Sequence, residues 1–291
     1  MRRLVVVGAS LAGLRAVESA RRAGFGGTIT LVGAEEHLPY DRPSLSKAFL
    51  DAGGPERVEP FKQERELREE LRVELMLGAR AEGLDTGARE VGVAGRPVPY
   101  DALVIATGTM PRSFPGADGI GGVHSLRTAE DAAAIRAALD AGARTVVIGA
   151  GFIGSEVASA ARKRDLPVTI VEALDVPLTR SVGPEVGAAC AELHRAAGTD
   201  LRLSTGVDEI ESSDGRVTGV RRHTARRRGR GDERRGRRAG RALPARRPYR
   251  GRGDHRPAAA HHKVLPPDRK PRRLGRGARI RGRHRHRGRL R

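Results

Sequence analysis

Short aliphatic runs and helically spaced apolar residues alternate along this chain. Leu4–Val7 is an unbroken aliphatic run ended by Gly8, the pattern of a buried strand. Beyond it Leu11, Leu14, Val17 and Ala20 recur at helical spacing, with Gly24 placed to close the helix. Thr28–Val32 is β-branched and predicts a second strand, so the opening segment reads as a strand–helix–strand unit. A proline-laced stretch, 37–60, reads as an ordered extended loop. Glu64–Leu75 reads as a charged helix, residues 73–99 as a β-meander and Leu103–Ala106 as a further buried strand. A second cycle follows. It has a helix over Thr128–Ala141 capped by Thr128 with Asp131 three residues on, and a strand at Thr145–Ile148. A helix over Gly154–Arg164, a strand at Val168–Val171, a helix over Pro184–Ala197 and strands at Asp200–Ile210 and Arg216–Val220 complete it. The repeated grammar predicts an α/β fold with two Rossmann-like, three-layer nucleotide-binding units.

Each unit opens with a glycine turn between strand and helix. The second is Gly149-Ala150-Gly151-Phe152-Ile153-Gly154. Gly149 permits the tight turn, Gly151 lets backbone approach a pyrophosphate, Gly154 allows close helix–strand packing, and the helix N-terminus presents its positive end. Glu172 ends the next strand, placed to accept hydrogen bonds from a ribose 2′-hydroxyl and to repel a 2′-phosphate; NAD is therefore favoured over NADP. Arg162, Lys163 and Arg180 are nearby in sequence and keep NADP open. The first turn is Gly8-Ala9-Ser10-Leu11-Ala12-Gly13, with Ser10 where a middle glycine is usual, and Glu35 and Glu36 follow its second strand as ribose ligands. One such turn is weak; two, each with an acid behind it, point to two nucleotides.

Charge changes the picture only at one end. The 291-residue chain carries a formal net charge of +20. From Arg221 onward there are 27 arginines and two lysines against four acids, a surplus of 25, which leaves residues 1–220 at −5. Only seven of the last 71 residues are Val, Ile, Leu, Met, Phe, Tyr or Trp, too few to bury a core, so this basic tail is expected to be disordered. No apolar run approaches the ~20 residues of a membrane span, and Arg2-Arg3 before a short apolar run is no secretion signal. Cys190 is the single cysteine, which leaves no disulfide framework or thiolate metal site, and a cytoplasmic setting is expected.

Between the two turns stands Tyr100-Asp101-Ala102-Leu103-Val104-Ile105-Ala106-Thr107-Gly108, and after the first unit Leu38-Pro39-Tyr40-Asp41-Arg42-Pro43-Ser44-Leu45-Ser46-Lys47. With Val171-Glu172-Ala173-Leu174, these motifs resemble the FAD-dependent pyridine-nucleotide oxidoreductases, and within them the ferredoxin/rubredoxin reductases and their apoptosis-inducing-factor relatives. Ser44, where that family usually has proline, is a small departure. The resemblance implies an FAD-binding domain over 1–112 and an NAD-binding domain over 113–220. Gly8, Ser10, Leu11, Ala12, Gly13 and Glu35 would bind the ADP half of FAD. Arg42 and Lys47 would lie along its pyrophosphate and isoalloxazine, and Ala106-Thr107-Gly108 would return the chain past it. Gly149, Gly151, Phe152, Ile153, Gly154, Glu172 and Arg180 would serve NAD. Lys47 and Glu156 would form the catalytic pair at the flavin. The implied activity is hydride transfer from NADH to FAD and electron transfer onward to a ferredoxin- or rubredoxin-type acceptor. With one cysteine, the branch that works through a cysteine pair is excluded. No metal is implied.

The resemblance stops near residue 220, where the family continues with a last strand of the NAD unit and the remainder of the FAD domain. Residues 221–291 are Arg-, Gly- and Pro-rich, the composition of GC-rich codons read out of frame, and a frameshifted, non-native tail is expected. On that reading the FAD domain is incomplete, and the purified chain is colourless with little NADH–acceptor activity. The alternative is a basic-tailed, nucleic-acid-associated protein with a Rossmann-like domain. Tyr249, the one aromatic in that tail, supplies no stacking platform, so nucleic acid is the weaker reading.

Overall fold

The structure, a computed structural model, describes residues 1–224. Its first layer is a parallel sheet of β1 (Arg3–Val7), β2 (Thr28–Val32), β3 (Val73–Met76) and β7 (Ala102–Ile105), in the order β3-β2-β1-β7. Strand alternation assigns the faces. Leu4 and Val6 pack with Ile29, Leu31 and Val73 against Val17 of α1 (Leu11–Arg22). Val5, Val7 and Val32 pack the other way against Val91, Val93 and Tyr100 of the antiparallel meander β4 (Ala81–Asp85), β5 (Glu90–Val93) and β6 (Arg96–Pro99) and its exit. Helix, sheet and meander make three layers. Strand order reverses at β1, which has β2 on one side and β7 on the other, so the carboxyl end of β1 opens onto a crevice of the kind that receives ligands.

The second unit repeats the device. β8 (Thr145–Ile148), α3 (Phe152–Arg162), β9 (Val168–Val171), α4 (Thr179–Ala196) and β10 (Asp200–Arg202) form a parallel sheet ordered β10-β9-β8, preceded by α2 (Ala129–Asp140). Its core joins Ala132, Ile135 and Leu139 of α2, Ala158 and Ala161 of α3 and Ile170 of β9. That same core takes Tyr40, Leu45, Phe49 and Leu50 from the proline-laced loop. The loop is therefore built into the second unit as well as the first. A hairpin, β11 (Thr205–Ser213) with β12 (Arg216–Thr224), closes the described chain.

Several elements differ from the sequence expectation. The charged helix over Glu64–Leu75 is a single π turn, Glu66–Glu70, after which Arg72 (φ +48°) turns the chain into β3. Ion pairs four residues apart, such as Arg65–Glu69, suit a helix. Parallel pairing of Val32 with Met76, though, takes Val73–Met76 as a strand. The expected strand Asp200–Ile210 is two strands, broken at Ser204 with φ +48°. α4 begins five residues before Pro184, with a break at Gly183 (φ +81°). The loop over 37–60 contains two short 3-10 turns, Arg42–Ser46 and Ala48–Leu50. β12 runs four residues past Val220, to Thr224, paired with β11. The remaining expected tail, 225–291, and with it the nucleic-acid alternative, lies outside the described residues.

Candidate nucleotide-binding sites

The two glycine turns share one backbone hydrogen-bond pattern. The Gly8 N–H donates to the Val32 carbonyl at 2.8 Å and the Gly149 N–H to the Val171 carbonyl at 2.8 Å, each tying the turn to the next parallel strand. Both glycines hold left-handed backbone, φ +119° and +99°, which side-chain-bearing residues rarely adopt. A Cβ on Gly13 would stand 1.9 Å from the Gly8 carbonyl oxygen, and one on Gly154 2.2 Å from that of Gly149. Both helices are therefore pressed onto their strands.

What each helix presents beyond its turn is also alike. Ser10 and Gly151 are the N-caps of α1 and α3, and neither helix start receives a side-chain cap. By contrast α2 is fully capped: Thr128 and Asp131 form a reciprocal capping box. The free first-turn N–H groups of α1 and α3 lie at open surface, with Leu11, Ala12, Phe152 and Ile153 exposed. A Cβ on Gly149 or Gly151 would meet nothing within 4 Å, so there is room for a ligand against backbone there. Two uncapped helix ends with open approach, each with a carboxylate behind, fit two dinucleotide diphosphates.

Behind the second turn, Glu172 accepts from the Ala150 N–H at 2.7 Å and the Leu174 N–H at 2.8 Å, so its carboxylate is fixed against the turn. Arg180, in the first turn of α4, is exposed and makes no side-chain hydrogen bond among the described residues. Behind the first turn, Glu35 pairs through Oε1 with Arg42 and accepts through Oε2 from the Tyr40 phenol at 2.6 Å. Arg42 also reaches Ser10 Oγ at 3.3 Å, so one guanidinium joins the turn to its acid. Ala106, Thr107 and Gly108 pass directly under the first turn: a Cβ on Gly8 would stand 2.1 Å from the Ala106 oxygen. Thr107 and Gly108 are exposed there.

Lys47 and Glu156, 109 residues apart in sequence, meet as an ion pair with Nζ 3.0 Å from Oε1. Ser46, buried, donates to the same carboxylate, and the Lys47 ammonium also reaches the Pro43 carbonyl at 3.2 Å. Sequence reasoning did not assign roles to Ser46 or Tyr40. The available signal was Tyr40 itself, one of three tyrosines in the chain, set in a loop between prolines. His37 meets Glu130 at 2.5 Å. His194 is partly buried in α4, and that burial holds its pKa below the ordinary value. Among the described residues no helix is long and apolar enough to cross a membrane.

Comparison with known proteins follows the same lines. Residues 2–230 match the family model "Pyridine nucleotide-disulphide oxidoreductase". The chain is 41% identical over 220 residues to rhodocoxin reductase of Rhodococcus erythropolis, covering 75% of this chain and 51% of that protein. It is 42% identical over 219 residues to the ferredoxin–NAD(+) reductase component of the p-cumate 2,3-dioxygenase system of Pseudomonas putida, covering 74% and 53%. The crystal structure of the covalent putidaredoxin reductase–putidaredoxin complex superposes with a TM-score of 0.71 at 36% identity, over 76% of this chain and 54% of that one. The chain thus spans about half the length of the curated relatives it matches. A match that runs through both nucleotide turns and their shared loop leaves one conclusion: this chain belongs to the pyridine nucleotide-disulphide oxidoreductases.

Proposed function

We propose that the first turn, with Glu35, Arg42 and Lys47, takes FAD. In this reading the second turn, with Glu172, takes NADH, and the protein is an oxidoreductase passing electrons from NADH through FAD to a ferredoxin- or rubredoxin-type acceptor. The observation that carries this reading is the Lys47–Glu156 pair, which links the loop of one nucleotide unit to the turn-bearing helix of the other. When bound, the two cofactors supply the hydride and electron chemistry. The chain's part is to hold and tune them. Uncapped helix ends and backbone N–H groups receive the diphosphates, and the Lys47 ammonium offers positive charge where a reduced ring gains negative charge. Glu156 and Ser46 keep that ammonium in place. Glu172, fixed by two backbone N–H groups, selects NADH because a 2′-phosphate beside it would set like charges together. Relatives described as ferredoxin reductase components support a ferredoxin-type partner. A cytoplasmic setting goes with this reading.

The test supplies FAD in excess. Flavin fluorescence is expected to saturate with added chain, and NADH without oxygen to bleach the flavin band, faster than NADPH. Lys47→Ala is expected to slow bleaching by about a hundredfold. A chain that leaves flavin fluorescence unchanged at every concentration refutes the reading.

A further inference from the structure

Tyr40 is the most committed side chain of the first site. It is 3% exposed, and its ring lies in the core of the second unit with Leu45, Phe49 and Ala129. Its single phenolic hydrogen has one acceptor-only neighbour, Glu35 Oε2 at 2.6 Å, so the direction of that bond is settled. The Tyr40 phenolic oxygen in turn accepts from the backbone N–H of Ala129, first residue of α2, at 3.1 Å and from Arg42 Nη1 at 3.3 Å. Arg42 is divided differently. It serves Glu35, the Arg127 carbonyl at 2.6 Å and Ser10 Oγ at 3.3 Å, and its guanidinium carbon stands 5.3 Å from the Tyr40 ring centroid. A diphosphate arriving at the first turn competes for that guanidinium with every one of these acceptors. It makes no such claim on a neutral phenol.

We propose that Tyr40 is a positioning residue of the nucleotide-ribose site: its hydroxyl, anchored on the first N–H of α2, holds the Glu35 carboxylate toward the adenosine ribose of a dinucleotide at the first turn. This rests on the FAD reading given above. Each Glu35 oxygen spends one lone pair, on Arg42 or on Tyr40, and keeps another for a ribose hydroxyl. Burial, then the bond to Glu35, pushes the phenol well above its ordinary pKa, so it stays a donor across the neutral range.

The test titrates the wild-type chain and Tyr40→Phe with FAD and with the FAD analogue carrying 2′-deoxyadenosine, reading flavin fluorescence. Wild type is expected to prefer FAD over the analogue. Tyr40→Phe is expected to weaken FAD about five- to tenfold while leaving the analogue nearly unchanged, so that the preference collapses. Tyr40→p-aminophenylalanine, which keeps an N–H donor toward Glu35, is expected to restore it. A merely structural tyrosine would weaken both ligands alike and preserve the ratio, and that outcome overturns the proposal. Should Tyr40→Phe fail to fold, the p-aminophenylalanine variant decides alone: retained preference supports the proposal, and lost preference with the fold intact overturns it. A wild-type chain that binds FAD without preferring it to the analogue also overturns it. No flavin binding by wild type at all removes the FAD reading itself, which separates the two failures.

Discussion

Asp101 shows how much one half-buried carboxylate can organise. It accepts from the backbone N–H groups of Arg2 at 2.6 Å and Arg3 at 2.9 Å, and from the Arg3 guanidinium at 2.9 Å, tying the entry of β1 to the entry of β7. Those bonds, the Arg2 backbone first, hold its carboxyl far below the ordinary carboxylate range. The sign follows from linkage. A carboxyl whose folded pKa lies below its unfolded value of about 3.9 stabilises fully above that value and ceases to do so as pH falls through the folded pKa. Urea midpoints of the wild type are therefore expected to fall more steeply below about pH 4 than those of Asp101→Asn. Equal slopes would show that this carboxylate contributes nothing specific. At this scale the sequence was only partly legible. The carboxylates behind the turns could be picked out because each follows the strand after its glycine turn, Glu35 shortly after Val32 and Glu172 directly after Val171. The bonds of Tyr40 to Ala129 and of Ser46 to Glu156 span 89 and 110 residues, and no local pattern announces a partner so far along the chain.

Among the elements, the glycine turns separate packing from ligand approach. A methyl on Gly13 or Gly154 would collide with a carbonyl oxygen of its own turn, at 1.9 or 2.2 Å, and backbone cannot move aside without pulling strand from helix. Gly13→Ala and Gly154→Ala are expected to lose about 1–3 kcal/mol or more of stability, read from urea midpoints. Gly151 differs: its φ of −78° suits any residue, and a Cβ there meets nothing within 4 Å. If the second turn takes NADH as proposed, Gly151→Ala is expected to cost about 1 kcal/mol or less of stability and yet weaken NADH binding roughly tenfold, because its methyl would fill open space against the turn's backbone. A Gly151→Ala chain that binds NADH as wild type does would remove the second turn from the site. Strands and turns of this kind were legible because hydrophobic alternation and glycine placement are local signals. Thr28–Val32, Thr145–Ile148 and Val168–Val171 stand in the structure with the ends read from sequence. The stretch Glu64–Leu75 was misread because its charge spacing favours helix, while the pairing that makes Val73–Met76 a strand lies on β2, some 40 residues earlier.

For the whole molecule, the feature with the largest consequence is the apolar surface left at one side of the second sheet. Val147 points toward α3, its Cγ1 3.0 Å from where a Gly154 Cβ would lie, so Val146 and Ile148 face the opposite way by strand alternation. They are 45% and 44% exposed, on a strand that forms the edge of its sheet among the described residues. β7 is likewise an edge, and Ile105 at its end is 65% exposed. An edge strand with open N–H and C=O groups and apolar side chains is a template for pairing with another copy of itself. Strands β7 and β8 are nearly all aliphatic and carry none of the charged residues that guard an edge. Self-association is therefore expected, with sedimentation velocity showing the mean mass rising with concentration. The basic tail supplies a competing, charge-driven route, and salt separates the two: apolar pairing persists or strengthens as ionic strength rises, whereas charge-driven contact fades beyond a screening length of about 8 Å at 0.15 M. The paired substitution Val146→Lys with Ile148→Lys puts like charges on the open face and should return the chain to monomer without disturbing Val147 or the glycine turn. If that variant still associates as strongly as wild type in high salt, the β8 edge is not the contact, and the exposed end of β7 becomes the next surface to charge.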